Sequence, residues 1–167
     1  MNRTSEQVLD DLARESARAV HMDLEISGLG ESRVNLEIAL RMCEAALKQA
    51  GREGARVSVA VVDAGGNLVT FQRMEGAEIA GPVLAPGKAY TSVAHRMSTA
   101  ELAPLTAPGG ELFGLAGDRF ICFGGGIPLW ADYGEEERVV GGIGVSGGTV
   151  AQDVACAEAA AEVWRTG

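Results

Sequence analysis

The chain has 167 residues, enough for one domain with a hydrophobic core of its own. Apolar residues make up 47 % and charged residues 22 %, as in ordinary globular domains. The formal net charge of −9 argues against nucleic acid and anionic membranes as partners, because both require a positive protein surface.

Two helices are expected before the first strand. The pattern over residues 5–25 predicts a strongly charged helix with a thin apolar stripe, followed by the linker "SGLGES". Residues 1–31 are therefore interpreted as an N-terminal helical arm, either packed on a partner subunit or solvated. Ser32 is the expected cap of the second helix, which is predicted to run through Ala50.

A β-hairpin is predicted next, in "RVSVAVVDAGGNLVTFQRM". Apolar residues alternate there, and "DAGGN" supplies turn residues that tolerate a positive φ. Asp63 is interpreted most simply as a cap of this turn, with a role as a carboxylate base near Asn67 as the alternative. On the second strand Arg73 shares a face with Val69 and Phe71, so it is a candidate ligand for an anion.

The second half of the chain predicts a helix, further strands and a closing helix. The middle helix is expected to begin near Gly87, with Tyr90 on its apolar side and Lys88 and His95 on its polar side. The segments "RFICFGGG", "IPLW" and "EEERVVGGIGVS" are the expected strands. In the last helix, "TVAQDVACAEAAAEVW", Thr149 and its third neighbour predict a capping box. Strands joined by short turns indicate an antiparallel sheet and an α+β fold rather than a Rossmann fold.

The glycine-rich segment "VVGGIGVSGGTVAQD" raises the question of what lies against it. The face of the last strand that carries Gly142, Gly144 and Ser146 is nearly bare, so a helix, a neighbouring subunit or a flat ligand can approach its backbone. The loop from Ser146 to Thr149 precedes a helix, where free amides favour a carboxylate or a phosphate. The lysine of a P-loop and the context of a dinucleotide fingerprint are both missing, which argues against nucleotide binding.

Cysteines and histidines limit the chemistry. Cys43, Cys122 and Cys156 are odd in number and widely spaced, which predicts buried, reduced thiols in a cytoplasmic protein.

The first residues lack the apolar segment of a signal peptide, and no apolar stretch is long enough for a membrane span. The histidines are His21 and His95, and no His, Cys, Asp or Glu set has metal-ligand spacing, so no metal site is expected.

Four segments together resemble the GlcG/HbpS-like family: "VSVAVVDAGGNLVTFQRMEGA", "GKAYTSVAHRMSTAEL", "FGGGIPLW" and "RVVGGIGVSGGTVAQDVACAEAA". The resemblance covers about residues 32–164, and residues 32–167 are identified as a domain of this family. The domain is often called the haem-degrading domain and also occurs fused to corrinoid adenosyltransferases. The resemblance implies a homo-oligomer and a profilin-like three-layer α+β fold, in which helices flank an antiparallel sheet of about five strands.

Two functions follow as hypotheses. The resemblance implies a haem- or tetrapyrrole-binding protein, with the macrocycle in a groove near the glycine face. Members vary between Asn and His after "DAGG"; this chain has Asn67, so axial ligation falls to His95, His21 or a methionine. The alternative is a cofactor-independent enzyme acting on a small carboxylate or hydroxy acid, in which Asp63, Lys88 or His95 transfers a proton.

Both hypotheses require a pocket for the carboxylate group of a small-molecule ligand. The predicted ligand-binding residues are Arg73, Lys88, Gly142, Gly144, Ser146, Gly147, Gly148 and Thr149. Arg96 is a further cation that could complete such a pocket, and for each of the three cations the alternative is a solvated charge or a surface ion pair of little energy. Whether the protein is an enzyme stays open, as does a third hypothesis, an oligomeric structural module without a ligand.

Overall fold

The computed structural model describes residues 33–117 and 119–166 of the chain. Its helices and strands in chain order are α1 (Leu36–Glu53), β1 (Ser58–Asp63), β2 (Leu68–Arg73), α2 (Gly81–His95), α3 (Thr99–Thr106), β3 (Gly126–Tyr133), β4 (Glu136–Ser146) and α4 (Val150–Thr166). The predicted arm, residues 1–31, lies outside the described residues, as does His21. The division of the chain after residue 31 therefore stays a prediction.

The strands form one antiparallel sheet in the order β2–β1–β4–β3. This confirms the predicted α+β fold, but with four strands rather than about five in the described part of the chain. In the segment "RFICFGGG", residues 119–125 form a loop, with an isolated bridge between Gly117 and Phe120, and only Gly126 belongs to a strand. The Ile121 amide donates to the Thr91 hydroxyl at 2.8 Å instead of to a neighbouring strand, and Gly125 has a φ of 119°. These two features keep residues 119–125 out of the sheet.

Helices cover both faces of the sheet. Helices α1 and α4 pack on one face through small and medium-sized apolar side chains, and together with the strands they form the main core. Its buried members are Ala39, Met42, Cys43, Ala46, Ala50, Ala55, Val57, Val59, Val61, Ile127, Leu129, Val140, Ile143, Val145, Cys156, Ala157, Ala160 and Ala161. Helix α2 packs on the opposite face, mainly against β4, β1 and β3. The result is the three-layer arrangement that the family resemblance implied.

Two helix starts differ from prediction. Helix α1 begins at Leu36 with Asn35 as its cap, because the Asn35 side chain accepts a hydrogen bond of 3.0 Å from the Ile38 amide. Helix α2 begins at Gly81 rather than near Gly87. Pro82 lies in the first turn of this helix, where a proline removes no hydrogen bond. A proline that indicated a loop in the sequence is therefore part of the helix start.

The bare face of β4 is covered by α2. A Cβ atom added at Gly144 would collide with the Ala85 carbonyl oxygen, and one added at Gly142 would lie 2.8 Å from the carbonyl oxygen of Ala89. Of the three occupants that the sequence left open, the structure therefore has a helix, packed backbone against backbone. The backbone at Gly142 and Gly144 is therefore not open to a flat ligand, and the predicted groove near this face has to lie beside the helix.

The three cysteines are free and buried, as predicted. Burial raises the pKa of the Cys43 thiol and of the Cys156 thiol to about 11. Both therefore stay protonated near neutral pH and act as small apolar core residues.

We expect Gly144→Ala to lower the free energy of unfolding by about 3 kcal/mol, since the new methyl group pushes α2 off the sheet. Gly51→Ala in α1 is the matched control, because a Cβ there meets no atom within 4 Å. The control should be neutral or stabilising by up to about 1 kcal/mol. Urea denaturation measures both changes, and equal stability of Gly144→Ala and the unmodified chain would show that α2 is not in close contact with β4.

Candidate functional site

A cleft of about 550 Å³ opens at one end of the sheet, between the β1–β2 turn, the C-terminal half of α2 and the β3–β4 hairpin. Its lining residues are Ala64, Gly65, Gly66, Tyr90, Val93, Ala94, Arg96, Trp130, Glu136, Glu137, Arg138 and Val139. Its volume falls within the range of about 300–1,000 Å³ that is usual for small-molecule sites. The sequence indicated Arg96 as a candidate anion ligand but did not predict the cleft, because its residues come from three separate segments.

The β1–β2 turn forms one wall of the cleft, and Asp63 holds the turn together. Its Oδ1 atom accepts hydrogen bonds from the Gly65 amide at 2.8 Å, the Asn67 amide at 2.9 Å and the Asn67 side chain at 3.1 Å. Partial burial raises the pKa of Asp63, but these hydrogen bonds outweigh that effect and hold the pKa below its usual value. The carboxylate is thus committed to capping, which was the simpler of its two predicted roles.

Tyr90 of α2 forms the facing wall, in contact with the same turn. Gly66, with a φ of 75°, lies so close to the Tyr90 ring that an added Cβ would be 2.6 Å from ring atom Cδ2. The ring stacks on Phe120 with a centroid separation of 6.1 Å, and the Arg119 guanidinium carbon lies 4.1 Å from its centroid. These contacts fix the ring, while no described residue hydrogen-bonds to its hydroxyl.

Arg96 adds a positive charge where α2 ends. It follows His95 in a left-handed conformation, with φ 52° and ψ 38°, and is the one non-glycine residue with positive φ in the described ranges. That conformation costs about 1 kcal/mol relative to a right-handed one. Arg96 has no ion-pair partner among the described residues, whereas Arg138 pairs with Glu136 at 2.9 Å on the exposed rim.

Lys88 was predicted to bind an anion or to transfer a proton, and the structure gives it a different role. Its side chain is fully buried, and Nζ donates to Asp153 Oδ2 at 2.7 Å and to the Val145 carbonyl oxygen at 2.8 Å. Nζ also lies 4.5 Å from the centroid of the Phe123 ring. Burial lowers the pKa of Lys88, and the hydrogen bond and charge of Asp153 act in the opposite direction. The pair ties α2 to the junction of β4 and α4.

The amides before α4 also have partners within the chain. The Gly148 amide donates to Asp153 Oδ1 at 2.9 Å, and the Thr149 amide donates to Gln152 Oε1 at 2.9 Å. The predicted capping box is confirmed, since the Thr149 hydroxyl in turn accepts from the Gln152 amide at 3.3 Å. Two amides expected to be available to an anion are therefore already used. A Cβ at Gly147 would collide with the Arg56 carbonyl oxygen, so this loop too is tightly packed.

The remaining predicted site residues lie apart from one another. Arg73 is exposed at the end of the edge strand β2 and donates to the Ala77 carbonyl oxygen. The His95 Nε2 atom is buried and has no hydrogen-bond partner among the described residues, and its ring meets Phe120 edge-on at 5.0 Å. Neither residue lines the cleft. The structure therefore does not bring Asp63, Lys88 and His95 together as a proton-transfer set.

A family model described as "Haem degrading protein HbpS-like" matches residues 34–162 of the chain. The protein belongs to this HbpS-like family. The uncharacterized 15.0 kDa protein of the dhaT–dhaS intergenic region of Citrobacter freundii is 37 % identical over 130 residues, which cover 76 % of this chain and 89 % of the relative. The predicted resemblance is thus confirmed.

The chain is also similar to a corrinoid adenosyltransferase, PduO, and to a solved structure of a PduOC:haem complex. PduO of Salmonella typhimurium is 37 % identical over 123 residues, which make up 72 % of this HbpS-like chain but only 35 % of PduO. The chain therefore spans about a third of that enzyme. A crystal structure of a PduOC:haem complex superposes with a TM-score of 0.73 at 34 % identity, covering 78 % of this chain and 94 % of the other.

The described part of the HbpS-like domain contains neither a membrane-spanning helix nor a cluster of metal-ligating side chains. Within residues 33–117 and 119–166, no helix combines the length and apolar character needed to cross a bilayer. The same residues contain no group of three His, Cys, Asp or Glu side chains placed to hold a metal ion.

We expect Lys88→Met to lower the free energy of unfolding by about 3–5 kcal/mol, because it leaves the buried Asp153 carboxylate without its cation. Lys48→Met is the matched control, since Lys48 pairs with Glu44 on the exposed surface and should change stability by less than about 0.5 kcal/mol. Urea denaturation at pH 7 compares the two. Similar losses for both variants would contradict the buried ion pair.

Asp63 predicts a pH dependence of stability. Because its pKa is lowered on folding, the ionised carboxylate stabilises the fold above its unfolded pKa of about 3.8, and this contribution is lost as pH falls through the lower folded value. Asp63→Asn should be less stable than the unmodified chain by up to about 1 kcal/mol at pH 7, after allowance for solvent screening. The difference should shrink toward zero below pH 3. Denaturation curves between pH 7 and pH 2.5 measure it, and a constant difference would refute this assignment.

Proposed function

We propose that this protein binds haem or a closely related tetrapyrrole in the cleft between the β1–β2 turn, α2 and the β3–β4 hairpin. The observation that carries the proposal is the combination of aromatic walls with arginines at the rim, in a chain of the HbpS-like family. The PduOC:haem complex, which has the same fold, supports it.

The walls fit a flat apolar ring. Trp130 offers aromatic surface, and Val93 and Val139 offer aliphatic surface, in the cleft that Tyr90 also lines. Trp130 is 38 % exposed, so the cleft has apolar surface that a ligand can cover. Burying aromatic and aliphatic area is the main source of affinity for a macrocycle, and aromatic rings also prefer offset stacking on other flat rings.

Two arginines line the cleft together with Glu136 and Glu137, and each arginine can bind one carboxylate of a ligand. Arg96 has no ion-pair partner in the described part of the chain, so a propionate can bind it without breaking an existing pair. Arg138 is paired with Glu136, but both side chains are more than half exposed, at 62 % and 69 %. Such a surface pair contributes little, and a second propionate can replace Glu136 at small cost. A bound haem would supply iron chemistry, and these residues would hold and orient it.

No observation favours the alternative, an enzyme acting on a small carboxylate without a cofactor. Lys88 is sealed from solvent, Asp63 caps its turn, and the His95 Nε2 atom is buried. Arg73 lies outside the cleft.

We also infer that the protein forms homo-oligomers and resides in the cytoplasm. Ile79, Val83 and Phe113 are 92 %, 67 % and 66 % exposed, and large apolar side chains left in water favour burial against a second copy. The free, buried cysteines are consistent with a reducing compartment.

Titration with hemin tests the proposal. We expect a saturable Soret absorbance change and quenching of tryptophan fluorescence, because Trp130 lines the cleft. Arg96→Gln should weaken hemin binding about 5- to 10-fold, equivalent to about 1–1.4 kcal/mol, through loss of a charge-assisted hydrogen bond.

The matched control is Arg73→Gln, which removes the same charge from a residue outside the cleft. Its affinity for hemin should equal that of the unmodified chain. Absence of a saturable change would refute haem binding. If Arg73→Gln and Arg96→Gln weakened hemin binding equally, the result would show that hemin binds outside the cleft.

A further inference from the structure

We propose that the phenol oxygen of Tyr90, rather than a histidine, is the ligand that this chain provides to haem iron, and that the site therefore prefers ferric to ferrous haem. The inference rests on the proposed function and specifies its chemistry.

Ligand type singles out Tyr90. The protein side chains that usually ligate haem iron are those of His, Cys, Met and Tyr. Among the residues that line the cleft, Tyr90 is the one of these types; the others carry aliphatic, indole, guanidinium or carboxylate groups, or are glycines. A macrocycle in the cleft therefore meets a single side chain of the required kind from the described residues.

His95 is the histidine nearest in the chain, and its geometry is unfavourable. It lies five residues after Tyr90 on α2, which places the two side chains about 140° apart around the helix axis. The His95 Nε2 atom is buried, and its ring packs edge-on against Phe120 at 5.0 Å. Phe120 thus packs on both the Tyr90 ring and the His95 ring, and His95 does not line the cleft.

The Tyr90 ring is held in place on several sides. Gly66 approaches one edge so closely that any side chain at this position would displace the ring. Phe120 stacks at 6.1 Å, and Arg119 lies over the ring at 4.1 Å. No residue that the structure describes hydrogen-bonds to the hydroxyl, so it can bind a ligand without first losing a partner within the fold.

Arg119 favours the phenolate form of Tyr90, and the phenolate oxygen in turn favours ferric iron. A cation over an aromatic ring is attracted to its π electrons, and the attraction grows as the phenol gains negative charge. When Tyr90 acts as the ligand, its O–H bond breaks, the proton goes to solvent and the oxygen donates an electron pair to iron, with no change in oxidation state. A hard anionic oxygen binds the more highly charged ferric ion more strongly than the ferrous ion.

Spectroscopy of the full chain with hemin and with metal-free protoporphyrin IX tests the inference. The unmodified chain should show a phenolate-to-iron charge-transfer band with hemin, and reduction with dithionite should weaken hemin binding. Tyr90→Phe should abolish the band and lower hemin affinity at least tenfold, yet bind protoporphyrin IX as the unmodified chain does. His95→Ala should keep the band, and Arg119→Gln should shift it.

The outcomes separate the two proposals. An unchanged hemin spectrum in Tyr90→Phe, or loss of the band in His95→Ala, would overturn the role of Tyr90 while leaving haem binding intact. If the unmodified chain binds neither hemin nor protoporphyrin IX, the proposed function fails and the role of Tyr90 fails with it. The protoporphyrin titration also shows whether Tyr90→Phe is folded, since a misfolded variant would bind neither compound.

Discussion

The close packing of α2 on the glycines of β4 is the constraint on which the rest of the structure depends. Because Gly142 and Gly144 have no side chains, the helix approaches the sheet until backbone meets backbone. Because α2 packs this closely, the Lys88 side chain is fully buried and its ammonium group must be hydrogen-bonded within the protein. The same close packing brings Tyr90 against Gly66 of the hairpin turn, so one packing contact sets the position of both the buried charge and the cleft wall.

The two halves of α2 consequently have opposite characters. Around Lys88 the helix is closed off by the ion pair with Asp153, in which both charges have hydrogen-bond partners and neither is free to react. A buried charge of this kind penalises any movement that separates it from its counter-ion. Toward its C-terminus the helix ends in the left-handed Arg96 beside an open cleft. A firmly seated first half thus provides a rigid support for a functional second half.

The sequence was sufficient for the elements with strong local patterns, such as the β1–β2 hairpin, the last strand and the capping box at Thr149. It could not decide what covers Gly142 and Gly144, because absent side chains admit a helix and a flat ligand equally well. The Lys88–Asp153 pair spans 65 positions of the chain, which no periodicity reveals. Tyr90 was predicted to lie on the apolar side of α2. The structure agrees, but that side of the helix also lines the cleft.

Asn67 bears on which side chains near the cleft can ligate iron. A histidine at this position would be a possible iron ligand at the edge of the turn, but the Asn67 side chain here donates to both oxygens of Asp63 at 3.1 Å. The turn therefore supplies shape, through Gly65 and Gly66, and supplies no ligand. Any protein ligand from the described residues must come from the opposite wall, where α2 presents Tyr90. The β1–β2 turn is capped by its own Asp63, and α2 packs on the glycines of β4. Tyr90 is therefore the side chain that we propose as the ligand of the iron.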